Sequence, residues 1–239
     1  MSSNATASLA SNAPDRSGPL PRTIVSWSSG KDSAYALYEL RRQGTHDLAG
    51  LLTTITEPFA RVSMHGVREE VLEMQARAVD LPLYKVGIPF PCPNSVYEER
   101  MGAMVRRLRE EGVERIVFGD LYLEDIRRYR EDRLRGTGIT PEFPLWGRPT
   151  LALAERMIDE GLRATLVAID PRKLPGTFAG RTFDRALLAD LPAGVDPCGE
   201  NGEFHTCVTA GPMFSGRLPV RTGPVTTRDG YVFADVIPQ

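Results

Sequence analysis

Apolar runs and helix-spaced apolar positions alternate along most of the chain. The run Thr23-Ile24-Val25 breaks into small polar residues and then into a helical pattern, where Ala34, Leu37, Tyr38 and Arg41 mark one side and Gly44 marks the end. Residues 48–56 (LAGLLTTIT) are apolar and β-branched, as suits a strand buried on both faces of a parallel sheet. After Gly66, Val67, Val71, Met74 and Ala78 step along a helix, and residues 83–88 supply the next strand. Tyr97, Met101, Met104, Val105 and Leu108 make another amphipathic helix, ended by Gly112, before the short buried strand 115–118 (RIVF) and Gly119-Asp120. This alternation predicts an α/β fold, a doubly wound and mostly parallel sheet with right-handed crossovers. Such sheets take ligands beyond the carboxyl ends of their strands, and the polar loops 28–33, 53–57 and 119–120 all fall on that edge.

From Leu121 the pattern turns polar. Glu124, Asp125, Arg127, Arg128, Arg130, Glu131, Asp132, Arg133 and Arg135 crowd a helix whose reading is a solvated face with i,i+4 pairs such as Glu124 with Arg128 and Glu131 with Arg135. Pro144-Leu145-Trp146 leads into a helix over 150–160, and 162–169 (LRATLVAI) reads as a further strand. Beyond Pro171 the segments are short and rich in Gly and Pro. The expected organisation is therefore a disordered tail at 1–21, an α/β domain at 22–170, and a smaller α+β region at 171–239.

Composition narrows the setting. The 239 residues include 41% hydrophobic ones, enough to fill a sizeable core, and 29 basic against 31 acidic side chains give a net charge of −2. That balance disfavours nucleic acid as a partner. Cys92, Cys198 and Cys207 are odd in number and too far apart for a CxxC pair, so a disulfide framework or zinc ribbon is not indicated. With no apolar run of signal-peptide or membrane-span length, a cytoplasmic protein is expected.

The candidate chemistry starts at Ser28, Ser29, Gly30, Lys31, Asp32 and Ser33. Small side chains let consecutive N–H groups converge at a helix N-terminus, which makes an anion site, and Lys31 adds a positive charge. Asp32 and Ser33 supply oxygens for water or magnesium beside a phosphate. A Walker-type loop is excluded by counting, since it needs glycine where Val25 stands and Ser or Thr where Asp32 stands.

This segment resembles the PP-loop of the ATP pyrophosphatases, usually Ser-Gly-Gly-x-Asp-Ser, with Ser29 in place of the first glycine. Three further stretches resemble, in order, motifs of the diphthine-ammonia ligase family of those enzymes. They are Met64-His65, the stretch from Gly119-Asp120 through Glu131 to Pro144-Leu145-Trp146, and Pro197 through Thr206 (PCGENGEFHT). The resemblance implies that ATP and Mg2+ are used to adenylate a carboxylate, and that ammonia then displaces AMP. It implies that Ser28, Ser29, Gly30 and Ser33 bind pyrophosphate, that Lys31 neutralises it and that Asp32 holds magnesium. Ser26 and Thr53 would lie near adenosine, and Gly119 and Asp120 near the α-phosphate or metal. Arg127, Glu131, Glu200, Glu203 and His205 would handle acceptor and ammonia, with His65, Trp146, Asn201, Gly202 and Thr206 on the substrate side.

Each of these side chains also has a plain alternative. His65 reads equally as a packed loop residue, His205 as one titrating near neutrality without a role, Trp146 as a groove filler, and Cys198 and Cys207 as small core residues. Asn201, Phe204 and His205 stand where the family has glycine, tyrosine and glutamate, so the expected acceptor is a smaller carboxylate than the modified histidine of elongation factor 2. A tRNA-thiolating pyrophosphatase and a non-catalytic nucleotide sensor are the rival readings, and a homodimer is left open.

Overall fold

In this computed structural model the structure describes residues 18–239. Of the expected tail, residues 1–17 therefore lie outside the described residues. Residues 18–20 are exposed, and the Pro21 carbonyl is already held, accepting bonds from the Thr23 hydroxyl at 2.8 Å and the Asp47 N–H at 3.1 Å.

The first sheet is built on β1 (Arg22–Ser26), which pairs in parallel with β2 (Asp47–Thr56) on one side and β5 (Arg115–Val117) on the other. Parallel pairing continues outward to β4 (Leu83–Ile88) beside β2 and β6 (Thr140–Glu142) beside β5. The two-residue β3 (Arg61–Val62) adds antiparallel to the end of β2. Alternation along β1 explains its wholly apolar centre: Ile24 and Val25 are both fully buried, in two different cores. Ile24 packs with Leu108 of α3 (Asn94–Glu110) and Leu134 of α4 (Glu124–Leu134). Val25 packs with α1 (Lys31–Gln43), α2 (Glu69–Ala78), α5 (Thr150–Asp159) and the second sheet.

That second sheet is antiparallel, in the order β8 (Phe204–Ala210), β7 (Arg163–Ile169), β10 (Tyr231–Pro238), β9 (Val220–Arg228). The strand read at 162–169 thus belongs here and not to the parallel sheet, because a run of β-branched residues reports burial on two faces but not which partners supply it. The long pair β9 and β10 also departs from the short C-terminal segments expected. Asp229 and Gly230 close it with φ of 50° and 78°, the left-handed pair that a two-residue hairpin turn requires.

Local signals fix most boundaries. Gly44, at φ 59°, ends α1 by donating to the Leu40 carbonyl at 3.0 Å. On α4 an i,i+4 pair forms, but between Arg127 and Glu131 and not at the positions expected. Arg135 is already outside the helix at ψ 127° and turns to Asp132 at 2.6 Å, while Glu131 bonds back to Arg127 at 2.8 Å. No helix among the described residues is long and apolar enough to cross a membrane.

Candidate functional site

Between β1 and α1 the chain turns through residues 27–30, and the second sheet holds that turn in place. Ser29 sits at φ 68°, a left-handed conformation that favours glycine, and its carbonyl accepts the Val208 N–H of β8 at 2.9 Å. Fully buried Gln75 bridges the same parts. Its amide accepts the Trp27 indole N–H at 2.9 Å and donates to the carbonyls of Ser29 at 3.1 Å and Val208 at 2.8 Å. At Gly30 a Cβ would stand 2.8 Å from the His65 ring and 3.3 Å from the Thr206 carbonyl, and at Gly119 one would stand 2.8 Å from the Asp32–Ser33 peptide. Both glycines are thus set by close backbone approach, which brings the loop after β5 against the start of α1.

The first turn of α1 is where N–H groups lack intrahelical acceptors. The Lys31 N–H is taken by the Thr206 hydroxyl at 3.0 Å, and the Ser28 and Ser33 hydroxyls lie 3.2 Å apart at its mouth. The Lys31 side chain is placed differently from expectation. The side chain is 2% exposed, and its ammonium bonds both carboxylate oxygens of Asp32 at 2.8 and 3.0 Å and the Cys198 carbonyl, and lies 5.6 Å from the Phe183 and Phe204 ring centres. Burial opposes its charge, but Asp32 and other acids nearby hold its pKa above the ordinary lysine value. Burial also pushes the Asp32 carboxyl up, against the downward pull of Lys31.

A cavity of about 510 Å³ opens over this turn and gathers Ser26, Ser28, Lys31, Asp32, Ser33, Thr53, His65, Gly119, Asp120, Glu200, His205 and Thr206 from the two sheets. Glu200 accepts the Leu121 N–H at 2.7 Å, and burial, reinforced by Asp32, pushes its pKa up to about 7. Asp120 is met by Arg130 at 3.4 Å. The rings of His65 and His205 stack at 4.5 Å, and the Nδ1–H of His65 donates to the Thr206 carbonyl at 3.1 Å. Burial lowers both imidazoles, His205 to about 4, so the reading of His205 as titrating near neutrality is corrected: desolvation and the Lys31 charge keep it uncharged. Among the described residues no three acids, histidines or cysteines group as a metal site. Asp32 and Asp120 instead offer the one or two carboxylates with which magnesium is held alongside phosphate oxygens.

Several expected site residues lie elsewhere. Ser29 and Gly30 shape the turn from behind, and the Ser29 hydroxyl is buried with no partner. Glu203 is 3% exposed and braces the turn before β8, accepting the Asp196 N–H and the Asn201 amide, both at 3.1 Å. Gly202, at φ 79°, belongs to that same turn. Arg127, Glu131 and Trp146 form a separate stack outside the cavity, with the guanidinium 4.7 Å from the Trp146 ring and 5.0 Å from that of Phe143. Arg130 and Trp27 line the cavity without having been singled out. Gln75 also escaped notice, although its place four residues after Val71 puts it on the buried stripe of α2, where a polar residue is a signal in itself.

The family model described as the diphthamide synthase N-terminal domain matches residues 21–141, and that of the diphthamide synthase C-terminal domain matches residues 149–233. The chain belongs to the diphthamide synthase family. It is 27% identical over 232 residues to the diphthine-ammonia ligases of Bos taurus and Homo sapiens, covering 87% of this chain and 86% of each relative. To the diphthine-ammonia ligase of Danio rerio it is 25% identical over 240 residues, covering 90% of this chain and 92% of that protein. Both diphthamide synthase domains build the one cavity. Ser28, Asp32 and Asp120 come from the N-terminal match, and Glu200, His205 and Thr206 come from the C-terminal match.

Proposed function

We propose that the protein is an ATP-dependent, AMP-forming ligase that adenylates a carboxylate and amidates it with ammonia, as the names and coverage of its relatives suggest. The observation that carries this reading is the joining, in one cavity, of an anion-accepting helix start with carboxylates and an uncharged histidine pair. The pyrophosphate end of ATP sits at Ser28 and Ser33 under the first turn of α1. Lys31 fixes Asp32 and lends its charge from beneath. Asp32 and Asp120 would hold magnesium beside the phosphates, and the ion would supply neutralisation of charge on the leaving pyrophosphate.

A carboxylate oxygen of the acceptor attacks the α-phosphorus, the bond to the β-phosphate oxygen breaks, and pyrophosphate leaves. Ammonia then attacks the acyl carbon, AMP departs with the carboxylate oxygen, and the nitrogen loses a proton. Of the acids expected to handle that proton, Glu200 is the one inside the cavity with a pKa near the working pH, and it takes that role; Glu131 and Glu203 lie outside. The acceptor is a carboxylate smaller than the modified histidine of elongation factor 2. Of the three family exchanges, Phe204 and His205 line the cavity, Phe204 with little exposure, whereas Asn201 is spent on Glu203.

The test is to incubate the protein with ATP, magnesium and ammonium, with and without a panel of carboxylic acids, and to follow AMP by mass. Ammonium-dependent AMP and an amide product are expected. Release of ADP, or AMP formation indifferent to ammonium and acid, overturns the reading.

A further inference from the structure

A second cavity of about 250 Å³ adjoins the first, and Val62, Met64 and His205 line both. Four aromatic residues stand in the rest of its wall. Phe59 and Phe90, ring centres 5.1 Å apart, come from the loops after β2 and β4, and Tyr231 and Phe233, 6.2 Å apart, come from β10. Phe59, Phe90 and Met64 are 47%, 53% and 71% exposed, an apolar surface that a chain folding for itself alone has no reason to gather beside a polar reaction chamber.

The charge of this chamber is uneven. Arg61 donates to both oxygens of Asp235 at 3.0 and 3.2 Å, and Arg68 meets the same carboxylate at 2.6 Å, so those groups are engaged with one another. Arg228 is different. Its guanidinium lies 4.4 Å from the Phe233 ring centre and has no ion pair with any carboxylate among the described residues, Asp229 included. Gly66 makes room for this arrangement: a Cβ there would stand 3.0 Å from the Phe233 ring and 3.3 Å from Arg228 Nη2. Of the charged residues that line the chamber, Arg61 and Arg228 stand against Asp229, an excess of one positive charge. A cationic guest is further disfavoured because the face of Phe233 is already covered by the guanidinium.

The geometry points to a subsite for the remote end of the acceptor, taking an apolar or aromatic body that carries a second anionic group for Arg228. This rests on the ligase reading above and names the class of its substrate. The reacting carboxylate enters the first cavity past His205, while the body fills the side chamber and the second anion forms a charge-assisted pair with Arg228. Arg228 is exposed, so solvent weakens its pairing with that anion, which still adds a discrimination that an apolar wall alone does not supply.

Calorimetry with the full chain and three probes tests the proposal without requiring turnover. The probes are phenylsuccinate, 3-phenylpropanoate and 4-(trimethylammonio)butanoate. Phenylsuccinate is expected to bind most tightly and to lose about tenfold or more in affinity in Arg228→Gln, with 3-phenylpropanoate indifferent to that change and ATP affinity unaltered. Phe233→Leu should weaken both phenyl compounds. No binding of phenylsuccinate, equal binding by wild type and Arg228→Gln, or tighter binding of the trimethylammonio compound overturns the proposal. Failure of the ligase reading shows separately, as absence of AMP with every acid while these affinities stand.

Discussion

Ser29 combines a left-handed backbone with a buried hydroxyl that has no partner, two costs at one residue. Ser29→Gly removes both and adds some chain entropy to the unfolded state, so a net stabilisation of about 1 kcal/mol is expected in urea titration. Because that hydroxyl is buried behind the turn and outside the cavity, the same variant should bind ATP as wild type does. Lys31 and Asp32 predict a split of a different kind. Asp32→Asn should cost AMP formation a hundredfold or so with the far-ultraviolet dichroism unchanged, since it removes the carboxylate proposed to hold magnesium while its amide oxygen can still accept from the Lys31 ammonium. Lys31→Met should lose activity and stability together, because it strands the Asp32 carboxylate and the Cys198 carbonyl that the buried ammonium holds. A Lys31→Met protein as stable as wild type would contradict this placement. That difference between neighbours was not legible in the sequence, where both read as members of a phosphate loop. What separates them is the direction of the Lys31 side chain, set by Phe183 and Phe204 more than 150 residues away.

At the scale of elements, β8 is the strand on which the turn before α1 depends. Thr206 caps the helix from another sheet, and Thr206→Val should lower stability by about 1 kcal/mol and weaken ATP binding, while Thr206→Ser keeps the hydroxyl and loses little. Equal melting and equal ATP affinity of the two variants would show that the bond is incidental. The parallel strands and their helices were readable because each announces itself locally, by β-branched runs and by apolar steps of three and four. Pro141 hid β6, since a strand carrying proline is acceptable only at a sheet edge, and the edge is a property of the assembled sheet. Arg127 and Arg130 share one charged helix and only Arg127 was read as a site residue, but Arg130 reaches the cavity and Arg127 lies against Phe143 and Trp146. Three residues of helical rotation decide the matter, and only the packing of α4 fixes that rotation.

For the whole molecule, three buried titratable groups set opposing trends with pH. Glu200 titrates ordinarily at 4.5 and at about 7 when folded, so the folded state holds the extra proton between those values, and this group's contribution to stability is lost from pH 4.5 to about 7 and is level above it. His205 titrates ordinarily at 6.5 and at about 4 when folded, and His65 is lowered as well, so the unfolded chain binds more protons in that window and stability climbs with pH up to about 6.5. Two imidazoles against one carboxyl predict a net rise from pH 4.5 to 6.5 and a shallow decline by pH 8. Urea titrations at the three values check this: His205→Gln should flatten the rise and Glu200→Gln should abolish the decline. The sequence showed the α/β class and the polar edge, but not that a second sheet closes the site, because the bonds from Gln75 and Val208 to Ser29 span 46 and more residues. His205 and Thr206 are neighbours on β8, the one walling the side chamber and the other holding the turn proposed to receive the nucleotide. Occupants of the two chambers therefore lean on the same short length of backbone. Their affinities are thermodynamically linked, and whatever factor ATP applies to the grip on the acceptor, the acceptor returns to ATP in equal measure.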